Sequence, residues 1–210
     1  MDAIQLKSLW LEISNNIVAN KDYLTKLDQQ MGDGDLGVSM SNGYVAVSSY
    51  FEKTDETDVG KLLLQGAQIF NDAAPSSLGT IICICMMGMA SALKGKKEVT
   101  IGDLTIALES GINKIMQRTG SKLNEKTMLD ALIPAYDALK KHTIDNDWKT
   151  AFKDAAQASE FGAEKTRSML PIHGRAAYYG DKSIGMIDGG AVVMQIVFKA
   201  AEGYFNSVYK

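Results

Sequence analysis

The chain of 210 residues is short of the side chains that build cross-linked or thiolate sites, with two cysteines and two histidines. Cys83 and Cys85 lie two apart in an apolar run, and side chains at that spacing on a helix point in different directions. Their spacing argues against a disulfide or a metal pair. Prolines number three, and the apolar–polar alternation of half-buried strands is nearly absent. Basic charge is also lacking: a net charge of -3 and a pI near 5.4 give no field for a polyphosphate backbone, which sets nucleic acid aside as a main partner. Residues 73–93 carry no charge, but their strongly apolar centre, 81–90, contains Gly88 and is about half of the ~20 residues a bilayer requires. A buried helix is expected there, and no membrane association. The first residues lack the basic start and apolar core of a signal peptide, so the chain reads as cytoplasmic.

What is present is helical periodicity. Leu6, Leu9, Trp10, Ile13 and Ile17 fall on one stripe, as one face of a helix requires. The same spacing links Val59, Leu62, Leu63, Ile69 and Phe70, with Asp58 placed to accept from a free first-turn amide. It also links Leu104, Ala107, Leu108, Ile112 and Ile115, opened by Thr100 and Asp103 at capping-box spacing. Further helices are predicted over 38–52, 128–141 with a bend at Pro134, 148–168 and 191–209. With 46% hydrophobic residues the chain can bury one sizeable core, and residues 1–210 read as a single all-α domain. Residues 169–190, "MLPIHGRAAYYGDKSIGMIDGG", are predicted to be non-helical. A loop that long in a helical body is usually functional or disordered, and its Arg175, Tyr178, Tyr179, Asp188 and spaced glycines favour function.

"LDQQMGDGDLG", residues 27–37, sets three carboxylates among three glycines. Asp28 is expected near the end of a short helix begun by Asp22, with Asp33 and Asp35 in the glycine turn after it. Convergent carboxylates call for a cation, and magnesium takes a few carboxylates together with phosphate oxygens. Calcium is less suited, because "DGDLGVSMSNG" lacks the glutamate that closes an EF-hand loop. A solvated acidic turn that caps the next helix is the alternative. Gly37, Val38 and Ser39 then open a helix whose free amides and dipole favour an anion. Ser76, Ser77, Gly79 and Thr80 form a second amide cluster at the start of the buried helix, after Pro75.

"LDQQMGDGDLG", "RTGSKLNEKTMLDAL" and "HGRAAYYGDKSIGMIDGG" resemble, in order and spacing, three signature segments of the nucleotide-binding L subunit of bacterial dihydroxyacetone kinases. The resemblance spans essentially the whole chain. It implies a barrel of eight antiparallel helices with the nucleotide, ADP or ATP, and two magnesium ions at one end. Asp28, Asp33 and Asp35 would be the metal ligands. Gly37 and Ser39 would lie beside the phosphates, with Ser76 and Ser77 supplying hydroxyls or amides. Thr119, Gly120 and Met128 would border the nucleotide, Arg175 would contact it, and Asp188, Gly189 and Gly190 would form the turn that closes over it. No catalytic residue is assigned with certainty; Arg175 is the candidate, and His173 has no such role in the resemblance.

The resemblance further implies a kinase subunit acting on a ketose hydroxyl, dihydroxyacetone or a similar short ketose. The substrate would be held by a separate K-type subunit, without which this chain is inactive. A phosphotransferase-system phosphocarrier subunit is the implied donor for a bound ADP, and ATP the other source. Two positions depart from the family pattern: Leu36 stands where a histidine is usual, and "NDAAPSSLG" replaces a glycine-rich loop before the buried helix. A non-enzymatic nucleotide-binding regulatory protein is the alternative reading.

Overall fold

A computed structural model describes residues 1–209. The described residues contain nine α-helices and no strand: α1 (Ala3–Ala19), α2 (Lys21–Asp28), α3 (Leu36–Lys53), α4 (Val59–Ala73), α5 (Ser77–Ala92), α6 (Ile101–Thr119), α7 (Leu129–Lys140), α8 (Trp148–Lys165) and α9 (Gly189–Val208).

Eight of them form a closed ring of neighbours. From α3 to α9 each helix packs on the next, α1 packs on α3, and α9 returns to α1. The short α2 is the exception, lying against α3 and α9. The stripe of α1 is buried throughout, as are the inward positions of α4 and α6. The interior is lined by apolar side chains, with one aromatic group at Trp10, Tyr44, Phe51 and Phe70 and another at Trp148, Phe152, Phe198 and Phe205. Cys83 and Cys85 are buried free thiols on α5. None of the described helices is long and apolar enough to cross a membrane.

The expected caps are formed. Asp58 accepts from Lys61 N at 3.1 Å and from Gly95 N at 2.9 Å, fixing the start of α4 to the loop after α5. Thr100 and Asp103 form a reciprocal capping box on α6, satisfying donors that a helix start leaves free.

Several boundaries differ from those read in the sequence. α2 starts at Lys21 and not Asp22, which sits in its first turn. α3 begins at Leu36, two residues early, because the turn before it is wound tightly enough to join the helix. α7 runs through Pro134. α8 stops at Lys165, and Thr166–Ser168 continues as a 3₁₀ turn. Within 169–190 the expectation of a wholly non-helical segment fails: Arg175–Ser183 forms 3₁₀ turns, broken at Gly180 with φ 50°. Such turns use i to i+3 bonds and leave no apolar stripe at 3.6-residue spacing to read. α9 starts at Gly189, ahead of the expected position 191, because Asp188 caps it by accepting from Ala191 N at 2.8 Å.

A close helix contact pairs α5 with α6 through two glycines. A Cβ placed on Gly88 would stand 2.6 Å from Gly111 Cα and 2.8 Å from Ser110 O, both backbone atoms. Gly88→Ala should therefore lower the stability to urea unfolding by about 1–3 kcal/mol through overpacking. A gain of up to about 1 kcal/mol, as helix propensity alone would give, contradicts this contact.

Candidate functional site

The chain turns sharply after α2, and Asp28 holds the turn. Its Oδ2 accepts from Gly34 N at 2.8 Å and Asp35 N at 3.1 Å. Glycine is required at both flanking positions: a Cβ on Gly32 would collide with the Asp28 carboxylate, and Gly34 adopts φ 78°. The result is a cluster in which one carboxylate oxygen from each of Asp28, Asp33 and Asp35 lies within 4.8 Å of the others. Asp28 is half-buried, whereas Asp33 and Asp35 are exposed.

The electrostatics of the cluster are asymmetric. Arg175 forms an ion pair with Asp33, and this hydrogen-bonded partner holds the Asp33 carboxyl below the usual range. Asp35 has no such partner; burial, and then the charges of Asp33 and Asp28, push its carboxyl up. A divalent cation would reverse that balance, because it favours the ionised form of each ligand.

Beside the cluster, four helices begin at the same end of the ring. Ser39 Oγ, in the first turns of α3, lies 2.7 Å from Ser76 Oγ, the residue that caps α5. A Cβ on Gly190, at the start of α9, would stand 3.3 Å from Met128 Cβ before α7 and 3.4 Å from Leu78 Cδ1 in α5. A Cβ on Gly189 would stand 2.7 Å from Leu36 Cδ2 of α3. The starts of α3, α5, α7 and α9 are thus gathered together, and their amides and dipoles make this end attractive to anions.

The structure joins most of the candidate residues read from the sequence. Asp28, Asp33, Asp35 and Arg175 form one group; Ser39 and Ser76 a second; Met128, Gly189 and Gly190 a third. Asp188 caps α9 and donates its backbone N–H to Thr166 Oγ1 at 2.9 Å. Ser77 is the exposed first residue of α5. Gly37 is buried, and a Cβ there would run into Lys21 O and Thr25 of α2, so close helix packing accounts for its lack of a side chain. Thr119 and Gly120 end α6, and their hydrogen bonds stay local: the Thr119 hydroxyl donates to Ile115 O and meets Ser121 Oγ. Among the described residues neither is bonded to the carboxylate group. His173 is held by Glu125 at 2.7 Å.

Other features were not read from the sequence. An open cleft of about 600 Å³ lies between the carboxylate turn and the 3₁₀ segment, lined by Met31, Gly32, Arg175, Tyr178, Tyr179 and Lys182. The three- and four-residue steps between Arg175, Tyr178 and Lys182 are the only local signal that they share a face. Lys126 and Asp130, buried in the loop before α7 and its first turn, are described below.

A DAK2 domain profile matches residues 30–203 of this chain. The chain belongs to the DAK2 domain family. Asp28 lies two positions ahead of the matched span, while the remaining candidates fall within it. Among relatives of this DAK2 protein is the Listeria innocua "PEP-dependent dihydroxyacetone kinase 2, ADP-binding subunit DhaL", 29% identical over 177 residues, with 83% of this chain and 82% of that protein aligned. An "L-erythrulose 1-kinase" of Mycolicibacterium smegmatis is 31% identical over 205 residues, covering 90% of this chain and 35% of the kinase. The fold matches the crystal structure of the dihydroxyacetone kinase of C. freundii with a TM-score of 0.77 at 20% identity, over 97% of this chain and 34% of that one. The DAK2 chain thus spans most of the Listeria subunit but about a third of the longer kinases, including a probable dihydroxyacetone kinase of Dictyostelium discoideum, of which it covers 32%.

Asp188 supplies a test of the site's electrostatics. Burial pushes its carboxyl up to about 6 from an ordinary 3.8. Between those values the folded chain keeps a proton that the unfolded chain has lost, so this residue's contribution to stability falls as pH rises through the window. Asp188→Asn keeps an oxygen for the cap and does not titrate. Urea midpoints in EDTA at about pH 4 and about pH 6.5 should show a smaller pH-dependent fall in the variant than in the wild type. Equal falls would contradict the assignment.

Proposed function

We propose that this chain is the nucleotide- and magnesium-binding subunit of a kinase for dihydroxyacetone or a similar short ketose, with residues 1–210 forming one L-type domain. The observation that carries the reading is the carboxylate trio, within 4.8 Å, set beside four helix starts: a cation site next to an anion site. The Listeria relative is named as an ADP-binding subunit of such an enzyme, which supports the same ligand.

Asp28, Asp33 and Asp35 offer only oxygen donors, the ligand set that suits Mg²⁺, and three carboxylates leave room for two ions shared with ADP or ATP. When bound, magnesium neutralises phosphate charge and aligns the phosphoryl group. The chain's own residues then do the positioning. Ser39 and Ser76 can turn their hydroxyls to phosphate oxygens, and the free amides at the starts of α3 and α5 point the same way. Arg175, already drawn to this end by Asp33, adds a cation that can pair with phosphate. Met128 and the small Gly190 shape an apolar wall, and Asp188 fixes the start of α9.

This reading assigns the site's carboxylates, Asp28, Asp33 and Asp35, to the metal. His173 is paired with Glu125, and Arg175 pairs with Asp33. The Listeria relative's name as a subunit supports a reaction completed by a K-type subunit that brings the ketose hydroxyl to the open cleft, so the chain alone should not phosphorylate it. A phosphotransferase-system phosphocarrier or exchange with ATP would renew the donor.

Protein purified with its nucleotide should release ADP and magnesium together when treated with excess EDTA. Asp33→Ala should bind Mg-ADP at least about tenfold more weakly, a loss on the scale seen even for residues that only orient metal ligands. ADP that remains bound in excess EDTA, or unchanged affinity in the variant, would contradict the carboxylates as the metal site. Mg-ADP binding without phosphoryl transfer in the presence of K-type and phosphocarrier subunits would favour a regulatory nucleotide-binding protein.

A further inference from the structure

Lys126 is 2% exposed and takes no part in the site described above. Its Nζ donates to Ser183 O at 2.7 Å and Met169 O at 3.2 Å. Among the described residues no carboxylate lies within ion-pairing distance of it. A buried ammonium without an anionic partner is costly, so a chain that keeps one gains something other than an ion pair. Burial lowers its pKa, with the more distant Asp188 opposing.

The backbone around Lys126 is wound to point it inward. Asn124 and Lys126 adopt φ of 69° and 59°, a region that non-glycine residues rarely enter. The buried carboxylate of Asp130 holds this conformation by accepting from Asn124 N and from Thr127 N. The two carbonyls that Lys126 reaches bracket the strap of residues 169–183, which carries Arg175. The strap is buried at Pro171 and Ser183, near its two ends, while Leu170, Ile172 and Tyr178 are 49%, 61% and 91% exposed. Its remaining ties are few. Arg167 and Gly185 exchange two hydrogen bonds, of 2.9 and 2.8 Å, His173 pairs with Glu125, and Arg175 pairs with Asp33.

We propose that Lys126 is a positioning residue that ties the two ends of the 169–183 strap together and so holds Arg175 at the carboxylate cluster. Neighbouring residues act in pair: Glu125 secures the strap through His173, and Lys126 closes its base. An ammonium suits that task because it donates to two carbonyls at once from a single atom. The consequence for ligand binding rests on the nucleotide reading; the tie itself does not.

Hydrogen exchange of the full chain without nucleotide, compared between wild type and Lys126→Met, separates the two. Amides over 169–185 should exchange about tenfold faster or more in the variant, with α3 and α5 unchanged. If Lys126→Met does not fold, Lys126→Gln keeps a donor for one carbonyl and should show a smaller increase. Lys126→Met should also weaken Mg-ADP binding about tenfold, and this loss should vanish in an Arg175→Ala background if Lys126 acts through Arg175. Unchanged exchange in the strap, or a loss of affinity that persists without Arg175, would overturn the proposal. Faster exchange in a protein that binds no Mg-ADP would support the tie and remove the nucleotide reading.

Discussion

Mutual repulsion of three carboxylates is the constraint on which this end of the molecule turns. Asp28, Asp33 and Asp35 are held within 4.8 Å of one another, although Coulomb forces drive them apart. The chain offsets this with backbone hydrogen bonds to Asp28 and with a guanidinium from a distant segment on Asp33. Asp35 has no ion-pair partner among the described residues; burial first, and then the charges of Asp33 and Asp28, push its carboxyl up, with Arg175 opposing. A cation would relieve the repulsion in such a cluster.

The ring of helices determines what lies next to the cation. Because α3, α5, α7 and α9 start at one end, that end combines free amides, two facing hydroxyls and the positive ends of four dipoles. Carboxylates and amides would be poor neighbours for one simple anion. They are good neighbours for a phosphate carrying its own metal, since each half of the ligand meets the opposite charge. The open cleft beside the carboxylates leaves room for a reacting hydroxyl that would arrive from outside.

The helices with apolar stripes and caps were legible in the sequence, because burial and capping are local patterns: Leu6 to Ile17, Asp58 before α4, and Thr100 with Asp103 before α6 all lie where spacing puts them. The closeness of Asp28, Asp33 and Asp35 was legible for the same reason, being a matter of one turn and its glycines. The meeting of Ser39 with Ser76 and of Arg175 with Asp33 could not be read from spacing, since 37 and 142 positions separate the partners. Nor could Lys126, whose burial depends on a left-handed backbone set by Asp130. A lone lysine in a polar loop gives no sign that its partners are carbonyls far along the chain. Gly37 was visible as a candidate, but its reason for being glycine, contact with α2, belongs to packing.

The most direct measurement is a crystal structure with Mn²⁺ and ADP, with anomalous scattering collected at the manganese edge. The account predicts peaks within bonding distance of Asp28, Asp33 and Asp35, with the nucleotide phosphates between them and the starts of α3 and α5. A nucleotide bound elsewhere, or manganese absent from these carboxylates while ADP is present, would contradict it.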